Sequence, residues 1–308
     1  MFGLRYHVAS LAAVFLALAV GILLGVAISG KVSEVGEEAE RDRLSNLEQD
    51  VAEANERAEA AERSGEAASE LVESSYPALM ADRLDDMEFS LVFLGPVDGN
   101  VRSAVERTLF DAGAGGPAFM IALDVPLEPE ELQGAIEGNE LLAAFADDGG
   151  DFGELGRELG EEVVAGGDTP LWNALQGELV QERTGAFSAE VDGAVVMYSW
   201  TPPDGEEAEQ EDAELASRVA ANASLADGVV AGLDASDVPV VGVSTTGQPT
   251  ALTDLYREQG ISSVDDVDTA AGRLALALLL AGAEPGHYGI KETATDGVTP
   301  PVDTVPSE

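Results

Sequence analysis

The chain has 308 residues, no cysteine, and 59 acidic against 15 basic residues, so its formal net charge is −44. The lack of cysteine excludes disulfide scaffolds, zinc fingers and thiol enzymes, and the acidity excludes ordinary nucleic-acid binding, which depends on Lys and Arg. Two interpretations of the charge remain open: a halophilic acidic surface, whose self-repulsion salt would screen, or a sink for cations.

The N-terminal segment contains an uncharged stretch at residues 8–28. A helix of about 20 apolar residues spans a bilayer core, so we predict a membrane anchor within residues 1–30. The alternative is a cleaved signal peptide, although its apolar part is normally about 7–15 residues long. The flanking Lys and Arg do not favour a cytoplasmic N-terminus, but long C-terminal domains translocate largely regardless of charge. We therefore expect a single-pass cell-membrane protein with a cytoplasmic N-terminus and an extracytoplasmic C-terminal domain.

One face of the predicted anchor carries small residues at every fourth position. Small residues at this spacing, including a G-x-x-x-G pair, allow two helices to approach closely in lipid. The face predicts packing against a second copy or a partner membrane protein; the alternative is that alanine and glycine are simply common in such helices. The predicted packing residues are Ala13, Ala17, Gly21, Gly25 and Ser29.

Residues 31–76 carry a heptad-like pattern, in which apolar positions alternate in steps of three and four. The predicted seam includes Leu44, Leu47, Val51 and Val72. Its middle is alanine, and Gly65 lowers helix propensity by about 1 kcal/mol. We predict a coiled-coil stalk that makes the protein a homodimer; a solvated single helix is the alternative.

After Pro77, short apolar runs alternate with amphipathic stretches, which is typical of a parallel sheet covered by helices. We predict an α/β domain over residues 77–291, with a mostly parallel sheet and helices on both faces. The predicted strands are 88–94, 118–123, 194–200, 239–244 and 261–264. The predicted helices are 100–112, 129–146, 171–181, 208–233, 250–259 and 269–281.

Three further segments are predicted to be irregular. The glycine- and aspartate-rich region between the second and third strands, around residues 147–168, is interpreted as an irregular helical insertion. The acidic loop at 202–214 is predicted to be solvated. The tail at 292–308 contains three prolines and is predicted to be disordered.

No catalytic motif occurs in the sequence. The chain has two histidines and no G-x-S-x-G element, so we predict that it is not an enzyme. The loop at 95–100 matches neither phosphate-loop pattern, and Asp98 or Asn100 is interpreted as a helix cap. The hydroxyl-rich loop at 242–249 could hold an anion at the next helix, although a capped turn is the simpler interpretation.

Ligands for copper are scarce in the sequence. Cu(I) prefers Cys and Met and Cu(II) favours His, whereas this chain offers five scattered methionines and two histidines. No cofactor site is predicted, and copper remains possible only as a transported ion. The weak metal candidates are Asp265, Asp266, Asp268 and His287. Asp268 is better interpreted as the N-cap of the helix at 269–281.

Two terminal motifs resemble those of a known family. Residues 4–25, LRYHVASLAAVFLALAVGILLG, are similar to the anchor of the actinobacterial MctB family of copper transport proteins. Residues 262–273, SSVDDVDTAAGR, and the later Gly286-His287-Tyr288-Gly289 resemble its C-terminal part. Residues 77–84, PALMADRL, followed by a strand and Gly95-Pro96, are similar to the start of its distal domain. The resemblance covers the whole chain in order.

This resemblance implies a single-pass envelope protein with a coiled coil and an extracytoplasmic α/β domain. The family label implies copper efflux or homeostasis, although a single anchor helix does not line a channel. Members are also linked to cell division and cell-wall remodelling through a membrane partner. The alternative function is therefore a non-enzymatic envelope scaffold, which the heptads and small-residue face favour.

Overall fold

The computed structural model describes residues 13–23, 34–146, 151–185, 187, 190–200 and 213–302. The chain divides into two compact units, Met1–Ala68 and Ser69–Glu308. Gly25 and Ser29 of the predicted packing face lie outside the described residues, as does the acidic loop up to residue 212.

The described part of the first unit is helical. Helix α1 covers residues 13–23, where Ala13, Ala17 and Gly21 are all exposed. Within the ranges that the structure covers, no helix combines the length and apolar character needed to cross a bilayer. The membrane anchor and its packing face therefore remain predictions.

Helix α2, Glu34–Met80, begins in the first unit, and its last turns belong to the second. It confirms that the predicted stalk is helical from residue 34. Leu47 and Val51 are 59% and 57% exposed, and Val72 is half-buried, whereas the side chain of Leu44 lies outside the description. Apolar side chains at heptad spacing thus face solvent in the single chain, and the coiled coil remains a prediction.

The second unit is built on a seven-stranded sheet in the order β3-β2-β1-β4-β5-β6-β7. All neighbouring strands are parallel except β2 and β3, which are antiparallel. The strands are β1 Phe89–Leu94, β2 Phe119–Leu123, β3 Val180–Gly185, β4 Gly193–Tyr198, β5 Val240–Val243, β6 Ser262–Val264 and β7 His287–Tyr288. The predicted, mostly parallel α/β sheet is confirmed.

Helices cover both faces of this sheet. In β1, Val92 and Leu94 face one hydrophobic core, and Leu91 and Phe93 face the other. The first core is closed by α4 to α8, and the second by the end of α2, α3 and α9. These helices are α3 Gly99–Asp111, α4 Pro129–Glu137, α5 Gly153–Ala165, α6 Pro170–Ala174, α7 Ala213–Asp234, α8 Ala251–Glu258 and α9 Ala270–Leu280.

Three predicted segments differ in the structure. The helix predicted at 129–146 divides at Gly138 and Asn139 into α4 and the 3₁₀ helix Glu140–Phe145, because the Asn139 side chain accepts the Leu141 N–H and starts a new helix. The helix predicted at 171–181 ends at residue 174, and β3 follows at the sheet edge. The irregular helical insertion predicted around residues 147–168 does contain a helix, and that helix is the regular α5.

The C-terminal segment also differs from the predicted disordered tail. Asp296 accepts the His287 N–H at 2.8 Å, and Gly289 N–H donates to the Gly297 carbonyl at 3.0 Å. Arg257 binds the Thr293 carbonyl at 2.7 Å, and Val302 packs against the second core. Residues 292–302 are thus part of the domain, because their backbone pairs along the β7 edge of the sheet.

Candidate functional site

Polar side chains from three strand ends meet at the carboxyl edge of the sheet. Ser244 follows β5, Asp265 and Asp266 follow β6, and Lys291 follows β7. Ligands of open α/β sheets bind at this edge, so we treat these four residues, together with Asp268, as the carboxyl-edge cluster. The cluster contains three of the four predicted metal candidates.

Asp265 holds the turn after β7. Its side chain is 1% exposed, and its Oδ1 accepts the Ile290 N–H at 2.9 Å. Its Oδ2 accepts the Lys291 N–H at 3.2 Å. The carboxylate thus accepts from two backbone N–H groups of this turn and holds the turn in place, which is a structural role.

Asp266 is fully buried beside the start of α9. Its Oδ2 accepts a hydrogen bond from the Thr269 hydroxyl at 2.8 Å, whereas its Oδ1 has no partner among the described residues. Burial raises the pKa of Asp266 to about 6; the Thr269 hydrogen bond opposes this shift, and the charges of Asp265 and Asp268 add to it. The carboxyl group thus takes up a proton at a higher pH than an exposed aspartate does.

Lys291 supplies the positive charge of the cluster. Its Nζ donates to the Thr245 carbonyl at 2.7 Å and lies 3.4 Å from Ser244 Oγ. Burial lowers the pKa of Lys291, and the neighbouring aspartates oppose that shift, Asp265 most strongly. The ammonium group thus hydrogen-bonds the β5–α8 loop and forms no ion pair with the three aspartates of the cluster.

Asp268 is not the cap of helix α9, contrary to the sequence-based prediction. The N-cap is Thr269, whose extended backbone lets its Oγ1 accept the Gly272 N–H at 2.9 Å. Asp268 instead turns towards the preceding loop, where its two carboxylate oxygens accept the Thr246 N–H and hydroxyl at 2.8 and 2.7 Å.

The fourth metal candidate, His287, lies on β7, the strand at one end of the sheet. The Nδ1 of His287 lies 3.0 Å from Ser263 Oγ, and burial lowers its pKa, with the charge of Arg257 acting in the same direction. In the part of the chain that the structure describes, no three His, Asp or Glu side chains are grouped to hold a metal ion. The four metal candidates thus remain a prediction without a ligand set.

The crevice between β1 and β4, where the strand order reverses, is closed by the chain itself. Gly95 has φ +124°, and a Cβ there would lie 3.0 Å from the Trp200 nitrogen. Asp98 caps α3, as predicted, by accepting the Asn100 and Val101 N–H groups. Gln248 links the β5–α8 loop to the β1–α3 loop. Its side-chain amide accepts from the Thr245 N–H in its own loop and donates to Asp98 Oδ2 in the other.

Open space lies instead on the outer side of the β5–α8 loop. A pocket of about 460 Å³ there is lined by Arg107 from α3, Arg273 from α9, and Thr245 and Thr246 from the loop. Sequence reasoning missed both arginines, which are 166 positions apart in the chain. The sequence signal that could have identified them is the scarcity of basic residues, because the chain has only 15 of them against 59 acidic residues.

Comparison with known families gives a match over nearly the whole chain. The family model described as "Copper transport outer membrane protein, MctB" matches residues 1–300. No curated protein shows a significant match to the chain.

Proposed function

The chain belongs to the MctB family, and from that premise we propose that it is a single-pass, non-enzymatic envelope protein that acts in copper efflux or homeostasis. The family match carries this proposal, because it includes the N-terminal segment, α2 and the distal domain in one order. The uncharged stretch at residues 8–28 supports the anchor in the cell membrane.

The residues of the distal domain suggest an indirect part in copper movement. Its methionines are Met80, Met87, Met120 and Met197, and all four pack in or against the second hydrophobic core. Met80, Met120 and Met197 are buried, so their thioethers are out of reach of an ion in solution, and the partly buried Met87 is a single sulfur ligand, so these methionines favour packing roles. We infer that several copies or a membrane partner form the path that copper takes.

Removal of the gene tests the copper role. In a deletion strain grown with added copper, we expect more cell-associated copper than in the parent, because an efflux component would be missing. Elemental analysis of washed cells measures this, with zinc in the same samples as the control metal. Unchanged copper, or an equal rise in zinc, would contradict the copper proposal.

A second candidate function is a dimeric scaffold that binds a membrane partner in cell division or cell-wall remodelling. The exposed Leu47 and Val51 on α2 favour it, because two such helices could bury these side chains against each other. Cells that fail to separate while keeping normal copper would support this candidate.

The stalk prediction has a direct test. We expect Leu47→Glu to weaken self-association of the full chain, because it places a charge in the seam of an alanine-rich coiled coil. Analytical ultracentrifugation in detergent measures the oligomeric state. Ala60→Glu, which adds the same charge off the seam on the same exposed helix, is the control. Sedimentation of the wild-type chain as a monomer would contradict the coiled-coil prediction.

A further inference from the structure

The pocket beside the β5–α8 loop is unusual in this acidic chain because two guanidinium groups line it. Arg107 comes from α3 and Arg273 from α9, and the rest of the lining includes Asn100, Ser103 and Thr245. These side chains are hydrogen-bond donors, and they surround an open volume of about 460 Å³. The pocket lies at the carboxyl edge of the sheet, where α/β domains bind small ligands.

Arg107 forms no ion pair with the described residues. Four other arginines of the second unit form ion pairs with acidic side chains: Arg102, Arg157, Arg218 and Arg257. Among the described residues, no carboxylate lies within 4 Å of the Arg107 guanidinium. In a chain with net charge −44, an exposed arginine without such a partner is available for an external anion.

Arg273 is held in place by its neighbours. Its Nη1 donates to the Asp268 carbonyl at 3.0 Å, and its Nε lies 3.4 Å from the Tyr76 hydroxyl. Its guanidinium carbon lies 5.2 Å from the centre of the Tyr76 ring. These contacts fix the side chain before any ligand arrives, which reduces the entropy that binding would cost.

One acidic residue, Asp268, belongs to the lining, and Glu73, Asp82 and Asp111 line an adjacent pocket that shares both arginines. Asp268 accepts hydrogen bonds on both carboxylate oxygens, from the Thr246 N–H and hydroxyl. These bonds orient the carboxylate oxygens towards Thr246, and the side chain keeps its negative charge. The lining therefore combines two guanidinium charges with one carboxylate that is already hydrogen-bonded.

We propose that this pocket binds the phosphate group of a small phosphate monoester. A monoester carries about −1.5 to −2 charges at neutral pH, which matches two arginines. Its three terminal oxygens can accept from both guanidinium forks and from the neutral donors, whereas a planar carboxylate has only two oxygens. The pocket volume leaves room for the organic part of a small solute.

Isothermal titration of the full chain in detergent tests the site, with sn-glycerol 3-phosphate and inorganic phosphate as probes at constant high ionic strength. We expect the ester to bind, and Arg107→Gln to weaken that binding by about tenfold or more, because a charge-assisted bond is lost. Arg107→Lys should weaken it less, since the charge remains and only the fork geometry is lost.

Two controls separate a binding defect from misfolding. The unliganded unfolding midpoint of Arg107→Gln should equal that of the wild type, because the Arg107 side chain makes no hydrogen bond with the described residues. Arg157→Gln removes an exposed arginine on α5 outside the pocket and should bind the ester normally. No binding of the ester by the wild type, equal affinity in Arg107→Gln, or binding of inorganic phosphate alone would overturn the proposal.

Discussion

Replacing Gly160 with alanine is expected to destabilise the distal domain by about 3 kcal/mol or more, at the upper end of overpacking effects. Helices α5 and α7 cross at four glycines, Gly156, Gly160, Gly228 and Gly232. A Cβ on Gly160 would collide with the Val229 carbonyl oxygen and would lie 2.8 Å from the Leu233 nitrogen. These contacts are backbone atoms, so no change of side-chain rotamer can relieve them.

The matched control is Gly134→Ala on the exposed face of α4. A Cβ there meets no atom within 4 Å, so this change should be neutral or stabilise by up to about 1 kcal/mol through helix propensity. Urea unfolding in high salt, followed by circular dichroism, measures both variants. Similar unfolding free energies for the two variants would mean that the helices separate at little cost.

This crossing also shows what a sequence motif leaves undecided. Gly156 and Gly160, and Gly228 and Gly232, have the same four-residue spacing as Gly21 and Gly25 of the predicted anchor. The chain contains 34 glycines, so the spacing alone does not distinguish a helix contact from a turn. Only the fold brings the two distant pairs together, since their partners lie about 70 positions apart in the sequence.

The strands that could be predicted are those buried on both faces. Strand β1, Phe89–Leu94, is an unbroken buried run, and a run of this kind is typical of a central parallel strand. Strand β3, Val180–Gly185, was missed because it lies at an edge and carries Glu182 and Arg183, which are typical of exposed edges. Strand β7 has two residues, too few for any periodicity.

The candidate site was predictable only in its residue types. Asp265, Asp266 and Asp268 stand out as an acidic run, and a hard-cation site was a reasonable hypothesis. Their actual partners are Thr246, Thr269 and the backbone around Lys291, and most of these lie on other loops. Local sequence cannot assign such partners, because they are set by which strands become neighbours.

A second large effect is expected where strand β5 meets helix α8. Gly242 is the one residue without a side chain in the buried run of β5, Val240–Val243. A Cβ at this position would overlap the ring of Tyr256, with Cδ2 only 2.6 Å away. The ring cannot slide aside, because the Tyr256 hydroxyl donates to the Val243 carbonyl at 2.9 Å and accepts the Tyr198 N–H at 3.2 Å.

A double-mutant cycle separates this steric contact from general packing. Gly242→Ala alone should destabilise the domain by about 1–3 kcal/mol through overpacking, and Tyr256→Ala alone by about 3–5 kcal/mol through the cavity it leaves. Combined, the two changes should cost less than their sum, because the new methyl group occupies part of the space left by the ring. Urea unfolding of the four proteins in high salt gives the coupling free energy.

A second cycle uses Tyr256→Phe in place of Tyr256→Ala, because phenylalanine keeps the ring and removes only the hydroxyl. It should cost about 1–3 kcal/mol, since the buried Tyr198 N–H loses its acceptor. Gly242→Ala should then remain destabilising in the Phe background and become tolerated only in the Ala background. Strict additivity in both backgrounds would mean that glycine is required at residue 242 by the backbone of β5, and not by the aromatic ring above it.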